Sequence, residues 1–334
     1  MEFQWKEIVA REDWDSFVFS SKEASVYHTW RWREVIELNG YKPLYLGCRH
    51  KSNGELVAVW PFFYVKSIGP FYVLDSMPLS DIGGPLISTD FAELDALFTG
   101  ITESIPLTRK LVFSLRSKIN NWNVKETFAG LGYTYTSGSG HFKVDLSADN
   151  LSRMWENVFK KHQRNQIRHF EKEGAQINLK KCGDDFQTFY GLYRLTMERR
   201  DYILHSEQFM KNIISSLGDS FKVLFVYSND KPICAVSFLA DDSLGVVHLT
   251  YVGYDAERRS ISPYFFAVWN WLNWASKNGY HVANLGNGSS NPESPNFRFK
   301  KQFGGTFYTH YTFTIPLNRI LYNAGRSVKN LISH

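Results

Sequence analysis

Phe221-Lys222-Val223-Leu224-Phe225-Val226-Tyr227-Ser228, followed by Lys231 to Ala240 and Gly245 to Tyr254, is the stretch that decides the fold. Its runs are rich in β-branched and aromatic residues, and Asn229-Asp230 makes the first turn, so it predicts a three-strand antiparallel meander. A helix from Pro263 to Asn278 comes next. Ser262 can cap it, Pro263 suits its first position and Gly279 stops it. His281 to Leu285 is then a strand. Upstream lie a strand at Gln176 to Lys181, helices at Asp184 to Arg199 and Ser206 to Leu217, and one long basic helix from Asp149 to Gly174. Downstream, Phe307 to Thr314 is a strand and Leu317 to Ile332 a closing amphipathic helix.

The N-terminal half repeats this order loosely. Helices at Glu12 to Ser20 and Trp30 to Leu38, the second capped by Thr29 and stopped at Gly40, precede strands at Lys42 to Arg49 and Leu56 to Val65. Asn53-Gly54 between those strands is a strong hairpin signal. A strand at Phe71 to Asp75, the turn Gly83-Gly84-Pro85, a helix at Phe91 to Glu103, a strand at Lys110 to Leu115 and a helix at Trp122 to Gly130 follow. Strands then begin at Gly132 and at His141 to Leu146. The expectation is an α/β chain of two tandem domains, each a mixed sheet flanked by helices, at 1–146 and 147–316, with 317–334 as a terminal helix.

The chain has 334 residues, 43% hydrophobic and 16% aromatic, enough for two packed cores rather than disorder. A net charge of +5 suits a polyanionic ligand without choosing among nucleotide, CoA, tRNA and an anionic membrane face. Cys48, Cys182 and Cys234 are far apart and lack metal-ligand spacing, which reads as buried thiols in a cytoplasmic protein with no metal. No secretory signal opens the sequence, and no run reaches the roughly 18 apolar residues of a membrane span. The expected location is the cytoplasm, with peripheral membrane contact open to it.

Four further stretches occur in order. They are Lys160-Lys161-His162-Gln163-Arg164 through Gly174; Phe189-Tyr190 with Tyr193, Thr196 and Arg199; Tyr251-Val252-Gly253-Tyr254-Asp255 with Arg258-Arg259; and Leu285-Gly286 with Phe297-Arg298-Phe299-Lys300-Lys301-Gln302-Phe303-Gly304-Gly305. Together with His28-Thr29-Trp30 and Gly83-Gly84-Pro85, the set resembles the Fem-type aminoacyltransferases of the GNAT superfamily and their acetyltransferase-like relatives. The resemblance spans about residues 12 to 314. It implies two GNAT-like domains and transfer of an acyl or aminoacyl group to an amine on a cell-envelope precursor or related metabolite. The donor would be an aminoacyl-tRNA or an acyl-CoA, with no permanently bound cofactor.

Such a transfer needs alignment, proton loss and oxyanion stabilisation rather than a protein nucleophile. The resemblance places Lys300, in its Phe299-Lys300 pair, near the donor's reacting end. The plain alternative is a surface lysine in a basic loop with Arg298 and Lys301. Arg199 would clamp an anionic group of the acceptor, or else merely complement a helix C-terminus. Five cations lie on the basic helix: Lys160, Lys161, Arg164, Arg168 and Lys172. Arg164 and Arg168 share a face that would track phosphates, unless it is a solvated face. Tyr251 would orient the reactants, with Tyr254 beside it, although core packing is the commoner use of such tyrosines. Arg259 sits at the strand–helix junction where GNAT folds hold a pyrophosphate, but the usual acetyl-CoA glycines are missing. Trp30 completes the set of substrate contacts. Two departures bear on the acceptor: Leu115-Arg116-Ser117-Lys118 stands where an acidic residue is usual, and Trp30 to Leu38 contains no lysine. A rival reading is a non-catalytic RNA-binding protein that uses residues 160–172.

Overall fold

A computed structural model describes residues 2–67, 71–88, 93–101, 111–255, 262–317 and 322–323. The chain divides into two compact units, Met1–Ser139 with Thr309–His334, and Gly140–Tyr308. The expected boundary at residue 146 therefore falls at Gly140, and the last strand returns to the first unit. Two strands, 134–145 and 306–316, contribute residues to both units.

In the first unit β1 (Phe3–Glu7), α1 (Arg11–Ser20) and α2 (Trp30–Leu38) precede β2 (Lys42–His50), β3 (Leu56–Lys66), β4 (Phe71–Ser76) and β5 (Leu86–Ile87). Next come α3 (Leu94–Thr99), β6 (Leu111–Ile119) and α4 (Trp122–Gly130). Thr29 caps α2 as expected, its hydroxyl accepting from the Trp32 N–H at 3.4 Å. The sequence offered no strand before α1, yet Phe3–Glu7 pairs antiparallel with β2. Strands β1 to β4 run antiparallel in order, and β4 lies parallel to β6 from Phe71↔Leu111 to Ser76↔Ser117. The core is aromatic: Trp60 stacks on Phe128 at 5.6 Å, and Phe98 meets Phe128 edge-on at 4.7 Å.

β7 (Thr134–Asp145) leads into the second unit, with α5 (Ala148–Arg153), α6 (Lys161–Lys172), β8 (Gln176–Lys181), α7 (Phe186–Arg200) and α8 (Glu207–Leu217). β9 (Phe221–Ser228), β10 (Lys231–Asp241), β11 (Val246–Tyr254), α9 (Pro263–Lys277), β12 (Val282–Ser289) and α10 (Pro295–Lys301) follow, and β13 is Thr306–Pro316. The predicted meander is β9, β10 and β11, antiparallel throughout. The strand order is β7-β12-β11-β10-β9-β8. Both units thus carry four successive antiparallel strands and then a parallel neighbour, which is the duplication the sequence suggested. Trp271, fully buried, anchors the second core against Phe238 at 5.7 Å.

Four readings need correction. The strands read at Gly132 and His141 are one strand, β7. The long basic helix is broken: α5 runs into a wide turn at Met154–Val158, Lys160 is extended, and α6 starts anew. The Gln163 side chain accepts from the Lys160 N–H at 2.6 Å and caps the restart without any Gly or Pro. The basic loop around Lys300 is a helix, with Ser294 accepting from the Phe297 N–H at 3.2 Å and Pro295 at its first position. Ser262 holds the N-cap position of α9 but makes no side-chain capping bond. Most of the expected terminal helix, and the ends of the one read at Phe91 to Glu103, lie outside the described residues.

Candidate active site

The two parallel strand pairs differ in one respect. In the first unit β4 and β6 stay paired along six positions. In the second, β11 and β12 pair only from Val246↔Val282 to His248↔Asn284. Each then continues without the other, β11 to Tyr254 and β12 to Ser289. Beyond the point of parting the backbone groups of both strands need partners other than each other.

Each parted end is held from outside. Along β11 the register slips against β10 between Val236 and Phe238, a bulge. There the Ser237 hydroxyl takes over from the ladder, accepting from the Tyr251 N–H at 3.2 Å and bonding the Thr250 hydroxyl at 2.8 Å. The fully buried Thr196 hydroxyl, on α7, accepts from the Tyr254 N–H at 2.8 Å. Gly253 lets α7 come this close: a Cβ there would sit 2.3 Å from the Tyr193 backbone nitrogen. On β12 the chain turns at Gly286, φ +75°, where its N–H donates to the Asn284 side chain at 2.9 Å.

Lys300 closes the β12 side. It is buried, only 5% exposed, and its Nζ donates to the Gly286 carbonyl at 2.7 Å and the Asn287 carbonyl at 2.8 Å. The surface-lysine alternative is thereby excluded. Its neighbour Phe299 stacks on Tyr264 of α9 at 4.4 Å, and Tyr264 stacks on Tyr254 at 6.3 Å. Burial raises the Tyr264 hydroxyl pKa above its ordinary value. At the end of this ladder Arg199 lies 4.6 Å over the Tyr254 ring, and Arg200 donates to the Tyr254 hydroxyl at 2.7 Å. The short helix α10 therefore ties both parted strands: Lys300 to β12, and Phe299 through Tyr264 to β11.

The structure thus brings Lys300, Phe299, Tyr254 and Arg199 into one contact chain. Tyr251 lies on the parted segment of β11 and packs edge-on against Tyr193 at 5.6 Å and His205 at 5.5 Å. Arg164 and Arg168 stand elsewhere. Arg164 donates to the Trp155 carbonyl at 3.1 Å, to Glu156 and to Phe159, closing the end of the wide turn. Arg168 is exposed and lies 5.7 Å over Trp155, which itself stacks on Trp269 at 5.5 Å. The two do not form one open phosphate stripe. Trp30 belongs to the first unit, where its N–H donates to Asp15 at 2.8 Å and Arg33 covers its ring at 4.1 Å. Arg259 lies outside the described residues.

Tyr264, Arg200, Thr196 and Asn284 were not singled out from sequence as site residues. Thr196 and Arg200 lay inside or beside the quoted helix motif. Nothing marked Tyr264 or Asn284, because stacking and strand separation are pairing properties. Among the described residues no His, Cys, Asp and Glu group could hold a metal ion.

A sheet opened between two parallel strands, with a buried cation beside the gap, is the frame of a GNAT-type acyltransferase. Residues 137–301 match the family model described as an acetyltransferase (GNAT) domain, so the second unit is such a domain. Over the whole chain the fold is similar to FemX: TM-score 0.77, 14% identity, 97% of this chain and 99% of that one covered. It is also similar to L-PGS from Bacillus licheniformis, with TM-score 0.58, 13% identity and 98% of each chain covered. A tandem GNAT protein from the clavulanic acid biosynthesis pathway gives TM-score 0.57 and 11% identity, with 95% and 99% covered. At these identities the likeness is one of fold. A search of the curated proteins gives no significant match.

Proposed function

We propose that this protein transfers an acyl or aminoacyl group from an activated donor, an aminoacyl-tRNA or an acyl-CoA, to an amine on a cell-envelope precursor or related metabolite. The observation that carries the reading is the parting of β11 from β12 beside the Lys300 ammonium. The donor's acyl end lies in the gap, and the acceptor approaches from the Tyr251 and Tyr254 side. The amine lone pair forms a C–N bond to the carbonyl carbon. The ester C–O or thioester C–S bond then breaks, and the amine's proton leaves with the departing oxygen or sulfur. Lys300 holds the β12 end in place, and its charge favours the transient oxyanion. Arg199, with Arg200, holds anionic groups at the rim. Loss of one such oxyanion-stabilising group lowers turnover by about 10²–10³.

The fold likeness to FemX, the missing glycines at 255–263 and the mild basic charge are compatible with an aminoacyl-tRNA donor; the GNAT domain itself speaks for acyl-CoA. Native mass spectrometry of the purified protein with CoA esters and with charged tRNA separates them. Turnover of the donor that binds is then measured on an amine panel for the wild type and for Lys300→Met. Unchanged turnover in the variant removes Lys300 from the chemistry, and binding of neither donor refutes the reading.

A further inference from the structure

Just past α7 the chain exposes the most water-facing large apolar side chain among the described residues. Ile203 is 86% exposed, Tyr202 beside it 56% and Leu195 on the last turns of α7 55%. Asp201 sets this geometry: it ends the helix in the left-handed conformation, φ 51°, and turns Tyr202 and Ile203 outward. Leu195 and Arg199, four apart, share one side of the last turns, and Tyr202 and Ile203 follow directly after the helix end. Around them stand the exposed Arg194, Arg199 and Arg200, against Glu198 and Asp201. Arg194 approaches Glu198 at 3.9 Å, which leaves the patch one positive charge in excess.

We infer that this patch is a membrane-contact tip that seats the second unit on a bilayer bearing anionic headgroups. Three features favour a bilayer over a protein partner. The apolar part is three side chains, far short of the roughly 800 Å² per partner that a stable protein interface buries. An aliphatic residue, an interfacial tyrosine and flanking arginines match the composition of surfaces that enter the headgroup layer. The same two arginines cover Tyr254, so the tip adjoins the rim of the candidate site and presents it to amines carried on lipids. The inference stands independently of the acyl-transfer reading, since vesicle binding needs neither donor nor turnover.

The test is co-sedimentation with vesicles of phosphatidylcholine alone and of phosphatidylcholine mixed with phosphatidylglycerol, at low and high salt. The expected result is partition onto the mixed vesicles that weakens with salt, and at least about tenfold less of it for Ile203→Glu. Arg194→Glu weakens binding to the mixed vesicles only. An environment-sensitive thiol label on Ile203→Cys, selective because the three native cysteines are buried, shifts to the blue on vesicle addition. Equal partition of wild type and Ile203→Glu, or an unshifted label, overturns the inference. So does self-association of the wild type that Ile203→Glu abolishes, which would assign the patch to a second copy of the chain.

Discussion

Lys300 shows how much a single side chain can settle. A lysine buried to 5% exposure is tolerated because the Gly286 and Asn287 carbonyls accept from it. Lys300→Ala leaves those carbonyls short of a donor and lowers stability by about 1–3 kcal/mol, read by urea denaturation. Lys300→Arg does not restore it, since a planar fork cannot occupy the space of a compact ammonium. His28 offers a second residue-scale prediction. It is buried, and its Nδ1 accepts from the Ser25 N–H at 3.2 Å. Burial lowers its pKa from 6.5 to about 4, outweighing bonds to Gly84 and Ser25 that raise it. The unfolded chain therefore takes up this proton first. The His28 contribution to stability is full above pH 6.5, falls as pH drops from about 6.5 to about 4, and levels off below that, a loss of roughly 3 kcal/mol from this group. His28→Gln removes that part of the acid sensitivity, and equal pH slopes for variant and wild type would contradict the assignment. Both residues stood in quoted motifs, but their burial and partners were not legible there, because those come from residues distant in the sequence or from backbone geometry.

At the scale of elements, the strength of the local signal decided what could be read. The β2–β3 hairpin, α2 and the β9–β11 meander follow from Asn-Gly, Thr29 and runs rich in β-branched and aromatic residues. The break before α6 has no such mark. Gln163 creates it by bonding Lys160 and also Gln302 at 2.7 Å, 139 residues away. The helix α10 was legible in principle from Ser294-Pro295, but seven residues make a weak periodic pattern. The parting of β11 and β12 had no sequence signal, being a matter of which strands stop pairing. Its support is testable at Gly253. An added Cβ would meet the backbone of α7 at Leu192 and Tyr193, which cannot yield as a side-chain tip would. Gly253→Ala is expected to lower stability by 1–3 kcal/mol or more and to displace α7 from β11. Thermal melts give the first effect. Loss of the 2.8 Å Thr196–Tyr254 bond, seen as faster exchange of the Tyr254 amide, gives the second. A neutral Gly253→Ala would show that the close approach is not required.

For the whole molecule, the route of the chain matters more than the boundary between units. The second unit is one continuous stretch, Gly140–Tyr308, and its core residues from Phe142 to Phe303 all lie within it. The first unit is assembled from two stretches separated by that insertion. Its sheet is completed by β13, which pairs with β6 from Tyr311↔Ile119 to Pro316↔Ser114. Phe313, fully buried, meets Phe128 edge-on at 5.1 Å, and Ile315 is 1% exposed. A fragment ending at residue 139 therefore lacks the strand that pairs with β6 and two core side chains. Removing one buried aromatic alone costs about 3–5 kcal/mol, a large part of a domain's net stability. Residues 1–139 alone should show no cooperative melt, and addition of a peptide covering 306–317 should restore one. If 1–139 melts cooperatively by itself, the terminal strand is dispensable, and the domain order read from sequence, with everything before residue 146 self-sufficient, is the better description. If the peptide restores folding, the tandem fold is a nested one, in which the acyltransferase unit is carried as an insertion and the first unit cannot finish folding until the last strand has been made.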